Sequence, residues 1–273
     1  MQLRKHFTEK IAIVTGGGSG IGARLCARMA QWGAVVVVGD VAEANAQQVA
    51  GAIDSAGGQA YARQVDVTHA VAVEALVNET VMRHGRLDYM FNNAGVAVMG
   101  EVRDLALDDW DRVVDVNLKG VIHGIHAAYP VMVRQQSGHI VNSASGYGLI
   151  PGPTLAPYVA TKHAVVGLSE TLRVEAKDLG VRVSVACPGF VRTPILNSPN
   201  RTGSAGDVSG LLGKVVIEAD DAAAAILSGV VRNQGLIVFP TYVSLLSRLH
   251  RLAPGLMQHA YLRIMRNMRT GGR

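Results

Sequence analysis

The sequence predicts an α/β fold, a single parallel sheet doubly wound by helices on both faces. Three observations carry that prediction. Short apolar, β-branched runs alternate with longer segments of helical period, the pattern of strands buried on both faces and their crossover helices. Only 5% of the 273 residues are aromatic while Gly and Ala abound, which favours close helix-on-sheet packing over a sandwich of aromatic strands. No Pro/Ser-rich linker interrupts the alternation, so residues 1–240 read as one domain and 241–273 as a helical tail.

In order, the strands are expected at Ile11–Thr15, Ala34–Gly39, Ala60–Val65, Leu87–Phe91, His139–Ser143, Val181–Ala186 and Leu236–Phe239. Helical segments fall between them near 20–32, 43–56, 70–84, 108–134, 157–179 and 219–232. The run Thr193–Gly213 is rich in Gly, Ser, Asn and Pro and reads as a long mobile loop past a strand's carboxyl end, where this fold places substrate lids.

Composition excludes several classes. Half of the chain is apolar (49%) and 17% charged, which rules out a disordered or fibrous chain. Two distant cysteines, Cys26 and Cys187, in apolar surroundings exclude a disulfide framework or zinc site and fit a reducing compartment. The opening MQLRKHFTEK is not followed by an apolar leader core, and no run of about 18 apolar residues occurs, so a cytoplasmic protein without a membrane span is expected. The net charge of +5 is local. Residues 241–273 hold six arginines and no Asp or Glu, whereas the rest of the chain carries 20 basic and 21 acidic residues.

The first strand runs into Thr15-Gly16-Gly17-Gly18-Ser19-Gly20-Ile21-Gly22 and then a helix. Such glycines let the backbone approach a pyrophosphate, whose charge rests on the free N–H groups of the helix start. The spacing departs from G-x-G-x-x-G at Ile21, and Ala23 stands where a P-loop needs Lys. Asp40 ends the second strand, where a carboxylate would bond adenosine ribose hydroxyls and repel a 2′-phosphate. Neither Ser19 nor Val41 is basic, so NAD is favoured over NADP; capping of the next helix is the plainer role for Asp40.

Tyr158 and Lys162, at i and i+4, share one helix face, where an ammonium would stabilise a phenolate. Ser145 follows the fifth strand, so this pair and the glycine turn open on the same crevice. Together with Asp66-Val67, Asn92-Asn93-Ala94-Gly95, Asn117 and Pro188-Gly189 followed by Thr193, these motifs resemble the short-chain dehydrogenase/reductase family in its single-domain branch, over about residues 8–240. The resemblance implies a Rossmann-type seven-stranded sheet and a catalytic set of Asn117, Ser145, Tyr158 and Lys162. In it Tyr158 is the general acid/base, Ser145 holds the reacting oxygen, Lys162 binds the nicotinamide ribose and lowers the Tyr158 pKa, and Asn117 positions a water. It also implies cofactor contacts from Gly16, Gly18, Ser19, Gly20, Ile21, Gly22, Asp40, Asp66, Val67, Asn93, Ala94, Gly95, Pro188, Gly189, Val191 and Thr193, with Tyr158 and Lys162. Between Ser143 and Ser145, the family spacing to Tyr158 selects Ser145 and leaves Ser143 structural.

By the same resemblance, Ser145, Tyr147, Leu149, Leu155, Tyr158 and Phe190 line the substrate pocket. Their apolar character points to a lipophilic secondary alcohol or ketone. Alternatives are an NADP-dependent 3-oxoacyl-thioester reductase, which Asp40 counts against, and a silent scaffold, which the intact catalytic set counts against. A homodimer or homotetramer built on the 108–134 and 157–179 helices is also implied.

The tail carries apolar stripes, Tyr242, Leu245, Leu246, Leu249 and Leu252, then Met257, Tyr261, Ile264, Met265 and Met268, opposite its arginines. It can pack on the body, cap the pocket, join a subunit or lie on an anionic membrane; nucleic acid is not expected, since the body is neutral and stacking residues are few. His123 and His126 lack further ligands at metal spacing and are read as packing residues, so no metal is expected. Cys187 has no His partner and reads as a buried spectator. Asn78-Glu79-Thr80 and Asn200-Arg201-Thr202 match the glycosylation triplet by chance.

Overall fold

A computed structural model describes residues 2–197 and 216–270. Its centre is a seven-stranded parallel sheet of β1 (Ile11–Thr15), β2 (Val35–Asp40), β3 (Gln59–Gln64), β4 (Tyr89–Asn92), β5 (Gly138–Ser143), β6 (Val181–Pro188) and β9 (Leu236–Phe239), in the order β3-β2-β1-β4-β5-β6-β9. The chain winds outward from β1 to β3, returns to β4 beside β1, and winds the other way. The reversal leaves a crevice at the carboxyl ends of β1 and β4. β1 is buried throughout, as a central strand covered on both faces must be.

The covering helices are α2 (Gly20–Gln31), α3 (Glu43–Ser55), α4 (Ala70–His84), α5 (Leu107–Val114), α6 (Gly120–Gln135), α7 (Ala156–Glu175) and α8 (Ala219–Val231). One core layer packs Leu25, Met29, Ile226 and Leu227 against one sheet face; the other packs Leu76, Val77, Val131 and Met132 against the opposite face. Two short strands, β7 (Val191–Arg192) and β8 (Ile217–Glu218), pair in parallel and bracket the Gly/Ser-rich stretch. Residues 198–213 of the expected loop lie outside the described residues.

Three departures from the expected elements matter. A short helix α1 (Gln2–Phe7) precedes the first strand, and its Phe7 is fully buried against Trp32 and Tyr89. The expected single helix over 108–134 is α5 and α6 joined by a π-turn at Asp115–Lys119, which inserts one extra residue into the ladder. The tail forms α9 (Thr241–Leu252) and α10 (Pro254–Thr270), and α9 is rotated away from its expected apolar seam: Val243 is buried, while Leu245 and Leu252 face out. No helix among the described residues is long and apolar enough to cross a membrane.

Beneath the crevice runs a buried polar chain. Asn92 Nδ2 donates to Asn142 Oδ1 at 2.8 Å, Asn142 Nδ2 donates to Ser169 Oγ at 2.9 Å, and Ser169 Oγ donates to Val165 O at 2.6 Å. It pins β4 to β5 and β5 to α7 at one register.

Candidate active site

The glycine turn is built for close approach. Gly16 has φ +63°, and a side chain there would strike Ala94. At Gly22 a Cβ would lie 2.1 Å from the Gly16 carbonyl, so the turn and α2 can meet only through glycine. Ser19 precedes α2 in extended conformation without a side-chain cap, which leaves the first N–H groups of the helix facing the crevice. Asp40 Oδ2 accepts from Gly18 N at 2.9 Å and Oδ1 from Ala42 N at 3.0 Å. The carboxylate thus closes a turn ahead of α3, which itself has no side-chain cap, and stands against the glycine turn.

Asn93 stitches the strand ends. Its Nδ2 donates to Thr15 O at 3.1 Å, and its Oδ1 accepts from Ser143 Oγ at 3.2 Å, while Thr15 Oγ1 accepts from the Asn93 and Ala94 N–H groups. Ser143 is accordingly structural through its hydroxyl. Asp66 folds onto Thr68 N and Oγ1, and these bonds hold its carboxyl below the usual range against the opposing effect of burial. Val67 packs on Gly120 and accepts from His123 Nδ1 at 2.8 Å, so His123 is a packing residue. No group of potential metal ligands occurs among the described residues. Thr193 touches the space above Gly20, which brings the segment after β7 back to the glycine turn. Val191 is buried in β7, and Ile21 packs on the core flanking α2.

At the other end of the crevice, α7 carries Tyr158 and Lys162 beneath the turn that follows β5. The Ser145 hydroxyl bonds to Tyr158 and accepts from Tyr147 N at 3.2 Å. Lys162 Nζ donates to Ser143 O at 2.7 Å and stands 5.5 Å from the Tyr158 ring centre. Burial pushes the Tyr158 phenol above its ordinary value, partly offset by the Ser145 bond, and pushes the Lys162 ammonium down to about 8. Burial is thus the dominant influence on the Tyr158 phenol in the chain by itself. Gly95 completes the cleft, since a Cβ there would approach Asn117 Oδ1 at 3.3 Å and Lys162 Nζ at 3.6 Å.

Asn117, fully buried in the π-turn, makes a two-way clamp on Val96: Nδ2 donates to Val96 O at 2.9 Å and Oδ1 accepts from Val96 N at 2.8 Å. A longer 3.4 Å bond reaches Thr161 Oγ1. The side chain therefore fixes the loop after β4. Burial pushes the Cys187 thiol up to about 12, so it is no nucleophile.

On the substrate side, Tyr147 meets Phe190 edge-on at 5.9 Å, and Leu155 caps the start of α7. Leu149 instead packs against the cluster of Val121, Val165 and Val166. Residues that sequence alone did not select complete this end. Tyr242 Oη accepts from Phe190 N at 3.3 Å, Val243 fills the space above Gly146, and Arg269 pairs with Glu101. The tail thus crosses the carboxyl ends of β6 and β5 and is tied to the loop after β4. The sequence showed that the tail carries apolar stripes, but neither which face of α9 turns inward nor what that face meets.

The crevice fits a dinucleotide: glycines a Cβ would block, uncapped helix N–H groups, and a carboxylate at the end of β2 beside them. A model of the short chain dehydrogenase family matches residues 10–203. Cyclohexanol dehydrogenase of Acinetobacter sp. (strain SE19) is 38% identical over 197 residues, covering 71% of this chain and 78% of its own. Meso-2,3-butanediol dehydrogenase of Serratia marcescens is 37% identical over 192 residues, covering 70% and 75%. The crystal structure of a short chain dehydrogenase/reductase from Burkholderia phymatum in complex with NAD superposes with a TM-score of 0.82 at 30% identity, covering 92% of this chain and 96% of that one. Sequence, sheet order and crevice agree, and the chain belongs to the short-chain dehydrogenase/reductase family of oxidoreductases.

Proposed function

We propose that this protein is an NAD-dependent oxidoreductase acting on a lipophilic secondary alcohol or its ketone, with Tyr158 as the group that exchanges the proton. The observation that carries this reading is the meeting of Ser145, Tyr158 and Lys162 at the mouth of the crevice. Bound NAD supplies the hydride acceptor, and its reduced form the donor. Gly16, Gly18, Gly20 and Gly22 would admit its pyrophosphate, Asp40 its adenosine ribose, and Lys162 the ribose at the reacting end. Ser145 holds the substrate oxygen, and Tyr158 donates to it in the reducing direction. In the oxidising direction Tyr158 must first release its own proton. The nearby Lys162 charge, present below pH about 8, favours that release. Asn117 is a positioning residue, acting through Val96.

NAD is supported by Asp40 and by the absence of a basic residue at 19 and 41. The same carboxylate disfavours the NADP-linked 3-oxoacyl reductase reading. A secondary alcohol is supported by relatives named for cyclohexanol and butanediol, and its lipophilic character by the Tyr147 and Phe190 rings. A homo-oligomer would use the outer faces of α6 and α7, where Ile122, Tyr129 and Leu168 border a shallow hollow. The test is a panel of hydrophobic secondary alcohols with NAD, followed by absorbance of the reduced cofactor. Turnover is expected, and Tyr158→Phe should abolish it while NAD still binds. Turnover retained in that variant overturns the assignment of Tyr158.

A further inference from the structure

The excess positive charge and a cluster of exposed leucines, Leu245, Leu249, Leu252, Leu256 and Leu262, fall on the same two helices. In α9 the inward residues are Tyr242, Val243 and His250, and Val243 is buried. The outward residues include Leu245 at 67% exposure, Leu249 and Leu252 at 85%. Leu256, 64% exposed, follows at the start of α10, with Leu262 further along. Arg248 and Arg251 flank the α9 leucines on the same exposed side, and Arg263 lies beside Leu262 in α10. None of these three arginines has an ion-pair partner among the described residues, and 241–273 contains no carboxylate side chain. A helix lying on a protein surface in water turns its leucines inward. Here the inner face is already engaged, by Tyr242 on Phe190, Met257 in the core and Arg269 on Glu101, and the leucines are left outside with the arginines.

We propose that this outer face docks on an anionic lipid bilayer, with Leu245, Leu252 and Leu256 entering the acyl boundary and Arg248, Arg251 and Arg263 meeting headgroup phosphates. A second copy of the chain fits less well. A two-fold contact would set these arginines against their own copies with no acid on the tail to offset them. The docking face is separate from the crevice, so the proposal does not rest on the redox chemistry.

The experiment is co-sedimentation of the full chain with vesicles of phosphatidylcholine containing phosphatidylglycerol, and with vesicles of phosphatidylcholine alone. Binding is expected only to the anionic vesicles and should weaken as salt is raised. The double variant Leu252→Asp/Leu256→Asp should lower the bound fraction ~10-fold or more, and Arg248→Gln/Arg251→Gln should remove the preference for anionic lipid. Both variants should keep the wild-type circular dichroism and melting temperature, because these side chains touch solvent. A full chain that stays in the supernatant, or binding indifferent to Leu252→Asp/Leu256→Asp, overturns the proposal. So does a concentration-dependent dimer that the same leucine variant dissolves while no vesicle binds, which would give the face to a second copy.

Discussion

Arg269 and Glu101 are 168 residues apart in sequence and meet as a two-pronged ion pair, Nε to Oε1 at 2.9 Å and Nη2 to Oε2 at 2.7 Å. Glu101 is almost fully buried and Arg269 holds its carboxyl below the usual range, with help from Arg103. The pair fastens the last turn of α10 to the loop after β4. Arg269→Gln should free α10, so that a protease cleaves near Ala253–Gly255 several-fold faster and KM for a bulky alcohol changes more than kcat. The swap Glu101→Arg/Arg269→Glu should restore part of the protection. Equal cleavage rates in wild type and Arg269→Gln would show that the pair does not hold the tail.

Asp40 offers a second measurement. Removing its carboxylate takes away the partner of Gly18 N and the repulsion toward a 2′-phosphate. In Asp40→Ala the ratio of kcat/KM for NAD over NADP should fall ~10-fold or more, equivalent to about 1.4 kcal/mol of lost discrimination. An unchanged ratio would mean the ribose is read by other residues.

Gly22→Ala should be tolerated by neither the turn nor the cofactor. Its Cβ would sit 2.1 Å from a backbone oxygen and 2.7 Å from Asn93 Nδ2, and the backbone oxygen cannot rotate away. A stability loss of about 1–3 kcal/mol is expected in denaturant unfolding, with NAD affinity weakened beyond what that loss explains.

Asn117→Ala leaves the Val96 N–H and C=O without their partners. The expected cost is about 2–4 kcal/mol, read from urea unfolding, together with reduced turnover as the loop after β4 loosens. Asn117→Ser should not rescue it, because one hydroxyl cannot both reach and satisfy the two Val96 groups.

His139 sets an acid limit on stability. It is buried in β5 with Nε2 2.8 Å from Ser184 Oγ, and burial, reinforced by the charges of Arg182 and Arg173, brings its pKa from 6.5 down to about 3. The unfolded chain therefore binds a proton that the folded chain refuses between pH 6.5 and 3. Stability present above pH 6.5 is lost as pH falls through that window, by something of order 5 kcal/mol. Melting temperature against pH should fall less steeply in His139→Gln than in wild type over that range.

The sheet was legible because its information is local. Four consecutive valines in β2 and the unbroken apolar run of β1 leave few other conformations, and the glycine turn announces its own geometry. The π-turn was not legible, since one extra residue only shifts the apolar stripe to a neighbouring face without breaking the helical pattern on either side; Asn117 could be named, but not what it holds. The rotation of α9 was hidden for a related reason. Its leucines have helical spacing whichever way they point, and only the partners of Tyr242 and Val243 decide the outcome. The depression of Lys162 and the elevation of Tyr158 depend on burial depth, which residue identity does not give.

The link from Asn142 to Ser169 joins β5 to α7 eleven residues beyond Tyr158. Were α7 to creep by a single residue, Tyr158 would travel about 1.5 Å along the helix axis and turn through about 100°, losing Ser145. An apolar seam alone would tolerate such a slip, because one methyl group substitutes readily for another. A buried amide facing a buried hydroxyl does not. The chain therefore keeps its reacting groups in alignment with a fiducial mark about three turns away, made of residues that never meet substrate, and mutations there would appear as catalytic faults with no visible change at the site.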